Sequence, residues 1–226
     1  MKITTILFDL DGTLIDTIDD LAWTAEKVLT EWGRGNADGS PVHDRAAYYR
    51  FVGNGIRKLV ERAFGGALSE SELDEAYARF VELYAGHLDV KTAPYDGIIP
   101  LLDRLREMGI RMGVVTNKAE AQARWLANKF FSEYGFLCVY GSVDGRPNKP
   151  HPDVVNLALS DCDADTEHTL FVGDSDVDVA TAHNAGLVCC GAVWGFRGAE
   201  ELKKAGSEFL LTTPLDLLNV LKEMNG

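Results

Sequence analysis

The sequence predicts an α/β protein, with a doubly wound parallel-sheet core of Rossmann-like type and an inserted helical cap domain. Two observations predict this fold. Short apolar and β-branched runs recur with helical patterns between them, which is typical of a parallel sheet. The segment after the first run has helical patterns and no convincing strand. We therefore predict a core from residues 1–16 and 96–226 and a helical cap from residues 17–95.

The predicted core strands are apolar on both faces, as the pairs Val114-Val115 and Phe171-Val172 show. Strands of this kind need helices on both sides of the sheet. The runs lie at residues 3–8, 111–115, 136–140, 169–172 and 187–193. The predicted cap has helical patterns at residues 21–32, 56–64 and 73–88, with glycine and proline near residues 33–41 and 94–97.

Composition limits the function classes. Of 226 residues, 46% are hydrophobic and 25% charged, as in globular proteins with a developed core. The net charge of −13 argues against a nucleic-acid partner, because phosphate backbones are bound by clustered lysine and arginine. No apolar stretch approaches the roughly 20 residues of a membrane span, and we find no signal-peptide pattern. Four cysteines without disulfide or zinc spacing fit a reducing compartment, so we expect a cytoplasmic protein.

The first strand ends in the sequence DLDGTL at residues 9–14, which places Asp9 and Asp11 at the carboxyl end of a strand. Open α/β sheets bind ligands at this end. Residues two positions apart in a strand share a face, so both carboxylates can approach one ligand as the chain turns at Gly12. An Asp-Gly turn by itself is common at strand ends.

The second core strand ends in Thr116, Asn117 and Lys118, and a helical pattern follows at residues 119–130. Backbone N–H groups at a helix N-terminus favour an anion, whereas a lysine there is unfavourable unless an anion is present. Lys118 therefore indicates an anionic ligand. Helix capping is an alternative explanation for Thr116 and Asn117.

Two further elements carry charged side chains. Lys149 lies in the sequence RPNKPHP at residues 146–152, where flanking prolines restrict the backbone and hold the lysine in place. The predicted strand at residues 169–172 is followed by the sequence GDSDVD at residues 173–178. Its three carboxylates would repel one another without a cation, and oxygen ligands suit magnesium. We assign metal binding to Asp174, and for Asp176 we favour a role in complementing the helix dipole.

These four elements, in this order and with a helical insertion between the first and second, resemble the haloacid dehalogenase superfamily of phosphohydrolases over nearly the whole chain. The resemblance implies a Mg²⁺ cofactor, a small phosphorylated metabolite as substrate and an aspartyl-phosphate intermediate. It implies that Asp9 is the nucleophile and Asp11 the acid/base. It also implies that Thr116 and Lys149 bind phosphate. The magnesium site implied by the resemblance consists of Asp9, Asp11 and Asp174. Asp178 matches the last acidic position of the family, where it supports the metal or Lys149.

Within that superfamily the chain is most similar to phosphoglycolate phosphatases. The similarity rests on the sequences FVGNG at residues 51–55, TNK at 116–118 and WGFRG at 194–198. It implies that Gly53 and Asn54 approach a small substrate, since glycine lets backbone come close, and that Asn117 and Lys118 also bind substrate. Family members often have Pro-Gly where this chain has Asp96 and Gly97, which leaves the subfamily less secure than the chemistry.

Several alternatives stay open. A pyrophosphatase, a sugar phosphatase or a phosphomutase would share the same core residues. A true dehalogenase is disfavoured by Asp11, because that resemblance would put an aromatic residue there. A phospho-receiver module is a remote alternative, since its acceptor is not on the first strand and it has no helical cap. The oligomeric state is expected to be a monomer or a homodimer.

Overall fold

The larger of two units is built on a parallel sheet, as the alternation of strand and helix patterns predicts. In the computed structural model, which describes residues 2–226, this unit comprises Met1–Asp16 and Pro94–Gly226. The strands in chain order are β1 Thr5–Phe8, β2 Ile15–Asp16, β3 Ala93–Pro94, β4 Arg111–Ala119, β5 Cys138–Ser142, β6 Thr169–Gly173, β7 Val188–Ala192 and β8 Phe209–Leu211. Six of them form the sheet in the order β5-β4-β1-β6-β7-β8, with every neighbouring pair parallel. The predicted α/β fold class is confirmed.

Helices of the larger unit flank this sheet. The ten α-helices are α1 Ile18–Glu31, α2 Arg45–Phe51, α3 Ile56–Ala63, α4 Glu70–Ala85, α5 Ile98–Glu107, α6 Glu120–Phe131, α7 Asp153–Asp161, α8 Asp176–Asn184, α9 Gly198–Ala205 and α10 Leu217–Asn225, counted over residues 2–226. Ile6 and Leu7 are adjacent on the central strand β1 and both are fully buried. Because neighbouring strand residues point to opposite faces, the sheet is covered on both sides.

On one face the core joins strand residues to helices. Leu7, Phe171 and Cys189 pack in one buried cluster with side chains of α7, α8 and α9, among them Val155 and Leu202. This packing fixes the strand ends from which the charged side chains project. Burial of such apolar surface is the main favourable contribution to folding.

The structure decides one alternative that the sequence left open at the end of β4. β4 continues to Ala119 and α6 begins at Glu120, so Thr116, Asn117 and Lys118 lie at the end of a strand and not in a helical turn. Ala119 occupies the N-cap position of α6, without a side-chain capping bond. Helix capping is therefore the wrong explanation for Thr116 and Asn117. The strand β8 has three residues, which is too few for an apolar or alternating pattern that predicts a strand from the sequence.

The smaller unit comprises Thr17–Ala93 and contains α1 to α4. Asp20 on α1 is fully buried, and its carboxylate accepts hydrogen bonds from the backbone N–H groups of Lys91 and Thr92. Ser69 and Glu72 form a capping box at the start of α4. That this helical unit acts as a cap stays a prediction. Over residues 2–226, no helix combines the length and apolar character needed to cross a membrane.

Candidate active site

Three strand ends bring the predicted chemistry together in the larger unit. Asp9 follows β1, Thr116 lies near the end of β4, and Asp174 follows β6, and these strands are neighbours in the sheet. The backbone N–H of Asp9 donates to Val172 O at 2.8 Å, so β1 and β6 stay aligned up to the first carboxylate. The carboxyl ends of parallel strands share one edge of the sheet, where α/β proteins bind ligands.

Asp9, Asp174 and Asp178 form an acidic group at this edge, with one carboxylate oxygen from each within 4.8 Å of the others. All three residues are buried, with exposed fractions of 7%, 2% and 1%. Burial raises the pKa of Asp9 to about 7, an effect that Lys149 opposes and the charge of Asp178 reinforces. The pKa of Asp174 also lies well above its usual value, because it is buried and faces Asp178 and Asp9. Such a group is disposed to take up either protons or a cation.

Lys149 supplies positive charge to this acidic group. Its ammonium donates to Asp9 Oδ1 at 2.8 Å and to Asp178 Oδ1 at 2.6 Å. Burial lowers the pKa of Lys149, but the charges of Asp178 and Asp9 and their hydrogen bonds outweigh that effect and raise it above the usual value. Lys149 is therefore a permanent cation in the site.

Asn117 holds the backbone on which Lys149 is carried. The Asn117 amide Nδ2 donates to Lys149 O at 3.1 Å, and Asn117 Oδ1 accepts from Lys149 N at 2.8 Å. Arg146 at the start of the same loop donates to Glu120 Oε2 and to Gly141 O. The end of β4 and the start of α6 thus fix the Lys149 loop at two points. Glu120 and Arg146 had no signal in the sequence beyond their charge.

Asp11 is paired with a different lysine. Lys118 Nζ donates to Asp11 Oδ1 at 3.1 Å and to Asp11 Oδ2 at 3.2 Å. The side chain of Lys118 is 2% exposed and that of Asp11 is 13% exposed. Asp11 lies outside the acidic group formed by Asp9, Asp174 and Asp178, so its place in the predicted metal site stays a prediction.

Asp178 lies in the first turn of α8 and has both carboxylate oxygens engaged. Its Oδ2 accepts from the backbone N–H and the hydroxyl of Ser175, while Ser175 Oγ accepts from Asp178 N, so the two residues form a capping box. Its Oδ1 accepts from Lys149. Asp178 therefore links Lys149 to the first turn of α8, and its two roles implied by the resemblance stay predictions.

Asp174 is held by residues that sequence reasoning missed. The backbone N–H of Phe196 donates to Asp174 Oδ2 at 2.7 Å, and the hydroxyl of Thr13 lies 3.5 Å from Asp174 Oδ1. A Cβ on Gly195 would lie 2.3 Å from Asp174 Cβ and 2.4 Å from Gly12 O. Only glycine fits this approach. These contacts of Gly195 and Phe196 with Asp174 give the sequence WGFRG at residues 194–198 a structural role in the larger unit.

Gly53 and Asn54 lie between α2 and α3 of the smaller unit. Asn54 Oδ1 accepts from Arg62 Nη2 at 2.8 Å, and Gly53 has a φ of 110° that favours glycine. This local geometry describes an ordered turn between two helices. A substrate-binding role for these two residues stays a prediction.

Known proteins are similar to this chain in sequence and in fold. The sequence profile of the family described as haloacid dehalogenase-like hydrolase matches residues 6–192. A phosphoglycolate phosphatase from Pseudomonas putida is 33% identical over 196 residues, covering 84% of this chain and 70% of that protein. An N-acetylmuramic acid 6-phosphate phosphatase from Pseudomonas aeruginosa is 30% identical over 223 residues, covering 98% and 96%. The crystal structure of a candidate phosphoglycolate phosphatase from Lactobacillus delbrueckii subsp. bulgaricus has a TM-score of 0.89 at 26% identity, covering 98% and 99%.

Proposed function

The chain belongs to the haloacid dehalogenase-like hydrolase family and is a phosphatase, and from this membership we propose that it hydrolyses a small phosphomonoester through a phosphorylated aspartate. The resemblance that the sequence predicts is thus confirmed at the level of the family. The observation that carries the proposal is the position of Asp9, at the end of β1, 2.8 Å from the Lys149 ammonium and within a buried acidic group.

We propose Mg²⁺ as the cofactor, with Asp9 and Asp174 as its carboxylate ligands. The residues fit this ion, because their oxygens lie together and hard oxygen ligands suit magnesium. The upward pKa shifts of Asp9 and Asp174 support the same assignment, since three buried carboxylates receive too little positive charge from Lys149 alone. When bound, Mg²⁺ supplies positive charge that offsets these carboxylates and the phosphoryl oxygens.

In the proposed mechanism Asp9 is the nucleophile and Asp11 the acid/base. An Asp9 oxygen attacks phosphorus in line, and the bond from phosphorus to the ester oxygen breaks while Asp11 gives that oxygen its proton. Water then attacks the phosphorus of the aspartyl-phosphate and passes a proton to Asp11, while the bond from phosphorus to the Asp9 oxygen breaks. The products are an alcohol and inorganic phosphate, and both carboxyl groups return to their starting state.

Lys149 and Thr116 are the proposed phosphate-binding residues. Lys149 is fixed by Asp9 and Asp178, so its charge already lies beside the nucleophile when a phosphoryl group arrives. Thr116 is buried near the end of β4, and its Oγ1 accepts a hydrogen bond from Lys118 N at 3.3 Å. Preorganised charge of this kind stabilises the transition state without reorganisation.

The proposed substrate is 2-phosphoglycolate. The sequence motifs that contain Gly53, Asn54 and Lys118 support this substrate. The similarity to the phosphoglycolate phosphatase of Pseudomonas putida, which is 33% identical to this chain, also supports it. A sugar phosphate is the second candidate, because the relative from Pseudomonas aeruginosa acts on N-acetylmuramic acid 6-phosphate and is 30% identical. The cytoplasmic location, the monomer or homodimer, and the absence of nucleic-acid and membrane partners stay predictions.

The test is phosphate release from 2-phosphoglycolate, sugar phosphates, nucleoside monophosphates and pyrophosphate, each with Mg²⁺ and with chelator. We expect Mg²⁺-dependent turnover with a preference for 2-phosphoglycolate. Preference for a sugar phosphate would keep the mechanism and replace the substrate. Turnover that persists in chelator would contradict the metal assignment.

The nucleophile is tested with Asp9→Asn. This variant replaces the nucleophilic carboxylate by an uncharged amide of the same shape, so we expect a folded protein without turnover. Trapping of phosphate on the wild-type protein by acid quench, followed by mass spectrometry of the peptide that contains Asp9, gives a direct readout. Near-normal turnover in the folded variant would refute the assignment.

A further inference from the structure

We propose that Lys118 recognises a leaving group with a negatively charged group, such as a carboxylate, on the carbon that bears the ester oxygen. The inference rests on the proposed function and deepens it, because it names the chemical class of the substrate's organic part. It predicts that the enzyme discriminates by leaving-group charge within the larger unit, before any contribution from the helical unit.

The two lysines of the site have different neighbours. Lys149 contacts Asp9 and Asp178 on the side of the acidic group, whereas Lys118 contacts both oxygens of Asp11 at 3.1 and 3.2 Å. In the proposed mechanism Asp9 meets phosphorus and Asp11 meets the ester oxygen. Lys149 therefore lies on the phosphoryl side of the breaking bond, and Lys118 lies on the leaving-group side.

The distances match a short anionic leaving group. A proton donor lies about 3 Å from the ester oxygen that it serves, so the Lys118 ammonium lies within about 6 Å of that oxygen, the sum of two hydrogen-bond lengths. A carboxylate on the carbon next to the ester oxygen has its own oxygens about 3 Å from it. Such a carboxylate can therefore accept a hydrogen bond from Lys118 while Asp11 remains at the ester oxygen.

Charge favours the same conclusion. The chain carries a net charge of −13, so an anionic leaving group is repelled at long range and has to be met by a local cation. Removing a lysine from water is costly, and the Lys118 side chain is only 2% exposed. A neutral donor would serve to orient Asp11, whereas a buried ammonium also attracts a substrate anion.

The test compares 2-phosphoglycolate with 2-hydroxyethyl phosphate, which has a neutral hydroxymethyl group in place of the carboxylate. Values of kcat/KM are measured with Mg²⁺ for the wild-type protein, for Lys118→Met and for Lys222→Met, a control on the exposed terminal helix α10. The readout is the ratio of the two kcat/KM values, because any effect on Asp11 is common to both esters and cancels.

We expect the wild-type protein and Lys222→Met to prefer 2-phosphoglycolate by about 10-fold to 100-fold, the value of one charge-assisted hydrogen bond. Lys118→Met should lose most of that preference. An unchanged ratio in Lys118→Met would overturn the proposal and leave Lys118 as a positioning residue for Asp11. Equal wild-type activity on both esters would also overturn it, while leaving the phosphatase function intact.

A second measurement needs no variant. Glycolate should inhibit the wild-type protein competitively at concentrations at which ethylene glycol does not, because only glycolate carries the charge that Lys118 binds. Equal effects of the two compounds would contradict the proposal even if Lys118→Met fails to fold. Failure of the wild-type protein to hydrolyse any ester would instead refute the proposed function.

Discussion

Replacing Asp9 by asparagine is expected to stabilise the metal-free protein at alkaline pH, although it removes the proposed nucleophile. Asp9 is 7% exposed, and burial raises its pKa from 3.8 to about 7. A group whose pKa is raised on folding holds its proton longer in the folded state. Stability is therefore lost as the pH rises from about 4 to about 7.

The magnitude follows from the pKa shift. A shift of about 3 units corresponds to about 4 kcal/mol at 1.36 kcal/mol per unit, of which about 2–3 kcal/mol is lost between pH 5 and pH 8. For a chain of this size, that loss is worth about 5–10 °C in Tm. An asparagine has no charge to bury, so Asp9→Asn should lack this part of the pH dependence.

The assay is thermal unfolding in chelator at pH 5 and at pH 8. We expect the wild-type Tm to fall between these values by about 5–10 °C more than the Tm of Asp9→Asn. Asp176→Asn is the matched control, since Asp176 is exposed at the start of α8, outside the acidic group, and should keep the wild-type pH dependence. Identical slopes for wild type and Asp9→Asn would refute the reasoning.

Three further predictions concern the same site. Asp174→Ala should raise the Mg²⁺ concentration needed for half-maximal activity by 10-fold or more, because it removes a proposed ligand; an unchanged requirement would move the metal to other groups. Asn117→Ala should lower kcat and cost about 2–4 kcal/mol in urea unfolding, because it leaves the buried N–H and C=O of Lys149 without their partner; full activity would show that the loop holds Lys149 by itself. Gly195→Ala should weaken Mg²⁺ binding in titration calorimetry, because its Cβ would lie 2.3 Å from Asp174 Cβ; wild-type affinity would contradict the close approach.

Much of the fold and site follows from local sequence patterns. The runs around Ile6 and Phe171 are strands because they are apolar on both faces, and the carboxylates that follow them mark the strand ends. The sequence also gave reason to expect that Lys149 is held in place, since prolines flank it. It left helix capping open as an alternative for Thr116 and Asn117, because these residue types suit either a strand end or a helix cap, and the structure excludes capping.

The sequence by itself determined which chemical groups reach one edge of the sheet. Parallel strands that alternate with helices present their carboxyl ends at one edge of the sheet, so Asp9, Thr116 and Asp174 had to share that edge, whereas the strand order that makes them neighbours comes from the structure. The order of these residues along the chain, and the family to which the chain belongs, could be inferred from the sequence without a structure.

Only the tertiary structure decided which lysine pairs with which aspartate. Lys149 contacts Asp9, which is 140 residues away, and Lys118 contacts Asp11, which is 107 residues away, and no sequence pattern distinguishes this pairing from the reverse. The support of Asp174 by the N–H of Phe196 was equally hidden, because any residue can offer a backbone amide. Such contacts depend on rotamers and loop paths that packing selects, and those arise from the whole chain.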